Sequence, residues 1–237
     1  MRSVLVFLFL LAVRATSRFF FRLREDWMPS KPADMAEDTR IVAILNHTSL
    51  YEWLIAGYAS TRLLWRFARH GVLPIAEKTM KRRIGVFFSF IVRHVVVVTR
   101  HRDHTWDEVL TKVDDRAIVV ILPEGRMKRR TGLDSAGRPM TVRGGISDIL
   151  EALPSGRMLM VYSGGLHHIQ APGDRFPRPF KMILCRFEMI DIGDYKRELA
   201  SAMPDTELRR AVVVDLTRRR DLYCPTDLQP APEPLDT

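Results

Sequence analysis

Five short runs of nearly uninterrupted apolar residues limit what this chain can fold into: Ile41–Leu45, Val95–Thr99, Ala117–Leu122, Met158–Ser163 and Lys181–Phe187. Each is rich in β-branched or large apolar side chains, which suit a pleated surface. A strand with one wet face alternates polar and apolar residues, so runs this continuous belong in strands covered on both sides. Between them lie helical patterns over Leu50–Ser60, Thr79–Val92, Thr105–Val113, Val142–Ala152 and Asp205–Arg219, the last opened by Pro204. This alternation predicts an α/β fold, a central mostly parallel or mixed sheet flanked by helices. The 237 residues, 46% of them hydrophobic, can bury one sizeable core, which places one main domain over residues 25–223.

The two ends read differently. Within Met1–Arg24 the continuous apolar run "SVLVFLFLLAV" is shorter than the ~20 residues a spanning helix needs. Arg14, Arg18 and Arg22 recur every four residues beside Phe19, Phe20 and Phe21, a pattern that suits a membrane-interface helix with arginines on lipid phosphates. The rival reading is a secretory signal ending at "VRA" before Thr16, and a bland core helix is the third. The expectation is an uncleaved anchor at the cytoplasmic face of the membrane. Glu25–Arg40 is polar, carries Pro29 and Pro32, and reads as a linker. Residues 224–237, "CPTDLQPAPEPLDT", hold four prolines and no basic residue, and read as a disordered tail.

Thirty-seven Lys and Arg against 28 Asp and Glu give a formal charge of +9, which points to an anionic partner. Nucleic acid fits poorly, because the aromatics are not interleaved with the basic runs. The only cysteines, Cys185 and Cys224, offer neither a disulfide framework nor a metal site at ligand spacing. His167 and His168 are adjacent and would diverge on a strand, so they read as a polar loop and not as metal ligands. "HRD" at His101–Asp103 lacks the glycine-rich loop and D-F-G of a kinase and is a coincidence.

Two stretches carry the chemistry. In "ILNHTSLYEWLI", His47 falls in the turn between the first strand and the first helix, where α/β folds place reactive groups. Ser49-x-x-Glu52 also spells a capping box, which alone could explain Glu52. Five residues apart on one continuous helix, His47 and Glu52 would lie about 140° apart. They can meet only if His47 precedes the helix, which Ser49 as N-cap allows. In "VVILPEGRMKRR", a strand runs into Pro123-Glu124-Gly125 and then into Arg126, Lys128, Arg129 and Arg130. Gly125 permits a tight turn, and arginine grips phosphate bidentately.

Together the two stretches resemble the glycerolipid acyltransferase superfamily, which contains the 1-acylglycerol-3-phosphate (lysophosphatidic acid) acyltransferases and whose hallmarks are N-H-x-x-x-x-D and, later, F-P-E-G-T-R. The resemblance extends from about Ile41 to Ser163. "AEKTMKRRIGVFFSFIVRHVVVVTR" looks like the family's middle block and ends at Arg100; "VRGGI" offers the Arg143 and Gly144 that follow the second box; "MLMVYSGG" keeps a strand but lacks its usual proline. Glu52 stands where the family has aspartate, and "PEGR" lacks the threonine before its arginine.

The resemblance implies an acyltransferase moving a fatty acyl group from acyl-CoA or acyl-carrier protein to a lysophospholipid-like acceptor, without cofactor or metal. Deprotonating the acceptor hydroxyl needs a base titrating near neutrality, the role of His47. Glu52 would hold the imidazole tautomer and stabilise the imidazolium, as the acid of a serine-protease triad does. Absence of a G-x-S-x-G elbow favours direct transfer over an acyl-serine intermediate. Glu124, Gly125, Arg126, Arg100 and Arg143 would bind substrate, Arg126 on the acceptor phosphate and Glu124 in part structurally, paired with a neighbouring arginine. Lys128, Arg129 and Arg130 form a charged face. The competing reading is a non-catalytic protein that holds anionic lipid; it would have no use for His47.

Overall fold

The computed structural model describes residues 1–81, 85, 88, 90, 92–99 and 104–226. Its elements run α1 (Arg2–Phe20), β1 (Arg22–Met28), β2 (Thr39–Leu45), a 3-10 helix (Glu52–Tyr58), α2 (Thr61–His70), β3 (Gly71–Ala76), α3 (Glu77–Met80) and β4 (His94–Val98). There follow α4 (His104–Thr111), β5 (Ile118–Ile121), α5 (Gly145–Ala152), β6 (Arg157–Ser163), β7 (Met182–Asp191), α6 (Ile192–Ala202) and α7 (Leu208–Tyr223).

Seven strands form one mixed sheet in the order β1-β7-β6-β2-β5-β3-β4. Strands β6, β2, β5, β3 and β4 are mutually parallel. β7 is antiparallel to β6, and β1 pairs with β7 in parallel. β2 lies at the centre and is almost wholly buried, as its unbroken apolar run requires. One face is covered by α4, α5, α6 and α7, which bury Val109, Ile146, Ile149, Tyr195 and Leu216 against the sheet. The other is covered by the 3-10 helix and α2 through Leu54, Ile55, Tyr58 and Leu63. The helical patterns over Thr105–Val113, Val142–Ala152 and Asp205–Arg219 thus correspond to α4, α5 and α7, whereas half of Thr79–Val92 lies outside the described residues, as do residues 227–237 of the tail.

Three segments that the sequence pattern assigned take a different form in the structure. Residues Arg22–Met28, expected as the end of the anchor and the start of a linker, form edge strand β1. Leu50–Ser60 is a 3-10 helix starting at Glu52, and the capping serine is Ser60, whose side chain accepts from Leu63 N at 3.1 Å to open α2. The carbonyls of Leu54 and Gly57 in this helix receive α1. Ser17 Oγ donates to Leu54 O at 2.7 Å, and Arg18 Nε donates to Gly57 O at 2.8 Å.

The third difference concerns α1 itself. At 19 residues it is long and apolar enough to cross a membrane by length and composition. It lies along the domain, with Val6, Leu10 and Val13 buried against Leu64 and Ala68 of α2. Arg14 Nη1 donates to Thr61 Oγ1 at 2.7 Å and Arg18 Nε to Gly57 O, so both side chains make a hydrogen bond to the domain. Arg22 lies in β1, off the helix. Apolar side chains occupy the outward stripe instead: Leu5 (65% exposed), Leu8 (55%) and Phe19 (75%).

Candidate active site

The carboxyl ends of β2 and β5 lie side by side in the sheet, so the turn after each opens on the same edge. After β2, Asn46 adopts a left-handed φ of 67° and turns the chain so that His47 leaves the strand before the 3-10 helix begins. Asn46 Nδ2 donates to Ser163 O at 2.9 Å, tying this turn to the end of β6. Thr48 Oγ1 accepts from Leu166 N at 2.7 Å on the same side.

Glu52 reaches back into the turn. Its Oε1 accepts from Thr48 N at 2.9 Å and Ser49 N at 2.8 Å, and lies 3.1 Å from His47 Nδ1. Both side chains are largely buried, at 15% and 7% exposure. The His47–Glu52 contact is one of charge and proximity, since the ring N–H is not aligned on the oxygen as a hydrogen bond requires. The acid half of the capping box is real, while Ser49 Oγ accepts from Tyr51 N at 3.2 Å and donates to Gln170 Oε1 at 2.8 Å. Capping and the His–Glu pair therefore coexist. Burial of His47 favours its neutral form, but the carboxylates of Glu52 and Glu124 outweigh it and the pKa is raised above the ordinary 6.5.

Glu124 does something the sequence did not disclose. Its two oxygens accept from consecutive backbone amides, Asn46 N at 3.1 Å and His47 N at 2.7 Å. Lys128 N donates to His47 O at 2.7 Å, so the second box fixes the backbone of the first from both directions. The cation near Glu124 is no neighbour in sequence: Arg220 of α7 lies 3.8 Å from its Oε1. Gly125 has a φ of 60°, and a Cβ there would stand 3.1 Å from Arg143 Cδ, so glycine answers both conformation and crowding.

Arg126 Nη1 donates to Asp134 Oδ2 at 2.6 Å, and its Nε is buried with no hydrogen-bond partner among the described residues. Asp134 is itself buried and accepts from Arg138 N and Ala136 N as well; these amides, with Arg126, hold its pKa down at about 2. The signal for Asp134 was a short Asx-type turn, Asp134-Ser-Ala-Gly137, with Gly137 at φ 69°. Arg143 N donates to Pro123 O at 2.8 Å, which places its side chain beside Gly125. Arg100 lies outside the described residues. Of the basic run, Arg129 faces the cavity and Arg130 lies 3.8 Å from Asp174. His167 and His168 each direct Nε2 at a backbone carbonyl, Lys128 O at 2.8 Å and Met182 O at 2.6 Å.

These groups open on a cavity of about 1010 Å³, at the top of the ~300–1,000 Å³ range of ligand pockets. One end is cationic, with Arg126, Arg129, Arg138, Arg143 and Arg209; Arg209 is held by Asp148 at 2.7 Å, which also accepts from Trp106 Nε1 at 2.8 Å. The remainder is apolar and passes Ile44, Trp53, Ile55 and Phe67 to reach Leu10 and Val13 of α1. His47 and Glu52 line it as well. An imidazole, several guanidinium groups, three of them paired with Asp134 or Asp148, and an apolar channel thus line one space.

Residues 29–169 match the family model described as Acyltransferase. In three dimensions the chain is similar to the crystal structure of PlsC from Thermotoga maritima, a 1-acyl-sn-glycerophosphate (LPA) acyltransferase, with a TM-score of 0.57 at 15% sequence identity over 90% of this chain and 78% of that one. No curated protein sequence matches the chain.

Proposed function

Because this chain belongs to the Acyltransferase family, whose model spans residues 29–169, we propose that it transfers a fatty acyl group from the thioester of acyl-CoA or acyl-carrier protein to the hydroxyl of a lysophospholipid-like acceptor. The observation that carries this reading is the His47–Glu52 pair, 3.1 Å apart, set in a cavity cationic at one end and apolar at the other. His47 faces Glu52 through Nδ1, which leaves Nε2 for the acceptor. Nε2 takes the hydroxyl proton as the oxygen attacks the thioester carbonyl. The tetrahedral intermediate collapses, the C–S bond breaks, and the thiolate recovers the proton from the imidazolium. Glu52 stabilises that imidazolium and holds the turn.

Arg126 supplies its buried Nε toward the acceptor phosphate, with Arg143 as a further cation of the same subsite, while the apolar channel holds the acyl chain. Gly125 keeps the second turn open, and Glu124 is a positioning residue for the His47 backbone. α1 lies on the bilayer at the cytoplasmic face, apolar stripe outward. A protein that only held anionic lipid would need the cations but not a buried imidazole between two carboxylates. The test is to supply purified protein with radiolabelled acyl-CoA or acyl-carrier protein and a panel of lysophospholipids. Label entering a diacyl product supports the reading; lipid binding without label transfer favours the non-catalytic alternative.

A further inference from the structure

We propose that the loop between β6 and β7 carries a second lipid-contact surface, centred on Phe176 and Phe180, that inserts into an anionic bilayer beside the mouth of the catalytic cavity. The inference rests on the membrane reading of α1 and extends it to a part of the chain outside the residues matched by the family model. The base of the loop belongs to the site: Gln170, Pro172 and Gly173 line the cavity, and Ser49 of the catalytic turn donates to Gln170. That base is pinned by its own hydrogen bonds. Ala171 N donates to Asp174 Oδ2 and Asp174 N to Ala171 O, both at 3.0 Å, and Arg178 N donates to Ile169 O at 2.8 Å.

Beyond this base the loop presents Phe176 (69% exposed) and, next to the start of β7, Phe180 (64% exposed) to the outside. Phe180 has a φ of 60°, a conformation that a bulky side chain adopts at a cost and that asparagine or glycine would adopt more readily. It is held there by α1: Phe180 N donates to Phe20 O at 2.6 Å, and the two rings lie 6.1 Å apart. Phe20 in turn meets Phe19 at 4.9 Å. Phe19 lies within about 60° of Leu5 and Leu8 around the helix, so the outward stripe of α1 runs into the loop.

Charge identifies the occupant. Residues 171–181 contain Arg175, Arg178 and Lys181, all exposed, against a single acid, Asp174, which is engaged by Ala171 N and lies 3.3 Å from Arg178. Arg175 lies over the Phe176 ring, 5.2 Å from its centre. Exposed aromatics flanked by cations match an interface whose headgroups are anionic and whose interior is apolar. A lipid acceptor would then enter beneath this loop and reach His47 without crossing water.

The experiment uses the full chain and vesicles of phosphatidylcholine, with or without phosphatidylglycerol. The Phe176→Ser/Phe180→Asn variant should lose at least tenfold in partition to the anionic vesicles while its melting temperature stays or rises, since asparagine tolerates the left-handed backbone. Transfer to a bilayer-embedded acceptor should fall with it, and transfer to a short-chain monomeric acceptor should hold. Arg175→Gln/Lys181→Gln should shrink the preference for anionic over neutral vesicles. Leu5→Ser/Leu8→Ser reports on α1 alone. If only that last variant loses binding, the loop is not a lipid contact and α1 acts by itself; if no variant loses binding, both readings fail. A wild-type dimer that the phenylalanine variant dissociates, with vesicle binding intact, would assign the patch to a second copy of the chain and overturn the proposal.

Discussion

His47 works in a balance of opposing effects: burial discourages its protonation, and two carboxylates more than restore it. The sign of its pH dependence follows. A general base must be neutral, so turnover should rise with pH through a pKa above the ordinary 6.5, placing the acid limb of kcat/KM on the alkaline side of that value. For stability the direction reverses: a raised folded pKa favours the native state below the unfolded pKa, and that contribution is lost as pH rises through the folded one. Glu52→Gln can keep the two backbone bonds through its carbonyl oxygen while removing the charge beside the ring. It should shift the acid limb to lower pH and reduce transfer ~100-fold, within the range for general-base assistance; unaltered rates and an unshifted limb would leave Glu52 only its turn-holding role. Arg126→Lys keeps the charge but not the guanidinium plane, and should raise KM for the acceptor more than for the donor. Steady-state kinetics with each substrate varied will check it.

At the scale of elements, the docking of α1 on the 3-10 helix turns on Gly57. A Cβ there would stand 2.5 Å from Ser17 Oγ and 2.6 Å from Leu23 Cδ1. Gly57→Ala should push α1 off its seat and cost roughly 1–3 kcal/mol, as overpacking does; an unchanged melting temperature would contradict that seat. The five apolar runs mark five of the seven strands to within a few residues; four of them, β2, β5, β6 and β7, lie inside the sheet, whereas β4 is the far edge, with Val97 exposed, so its apolar run does not reflect cover on both faces. The two strands left unread have physical reasons. β1, "RLREDWM", is a sheet edge paired only with β7, so nothing demands that it be apolar. β3, "GVLPIA", contains Pro74, which normally argues against an interior strand. β5 pairs with β3 only at Gly71 and Val72, so Pro74 lies where one side of the ladder has already ended.

For the whole molecule, the site was legible where chemistry is local to a motif and illegible where it depends on the fold. The spacing of His47 and Glu52 admitted the contact the structure shows, whereas Arg126 entered the candidate site only through the family resemblance and by itself read as part of a solvated basic loop. Glu124 as the clamp on the His47 backbone, Asp134 as the partner of Arg126, and Arg209 and Arg220 arriving from α7 could not be read, because each contact joins segments far apart or hides in an ordinary turn. Nor could the inward direction of Arg14 and Arg18, which needs the position of α2 and the 3-10 helix. That direction changes the expected result of truncation. Removing Met1–Arg24 strips the cover from Leu64 and Ala68 and the Leu10–Val13 wall from the cavity. The truncated chain should therefore aggregate when expressed, measured as its soluble fraction, where a freely hanging anchor would leave a soluble, folded enzyme behind. The most direct test of the catalytic assignment is single-turnover acyl transfer by purified His47→Ala against wild type, with circular dichroism to confirm the fold: the expected result is a loss of ~100-fold or more in a correctly folded protein, and near wild-type transfer by the variant would contradict the assignment of His47 as the base.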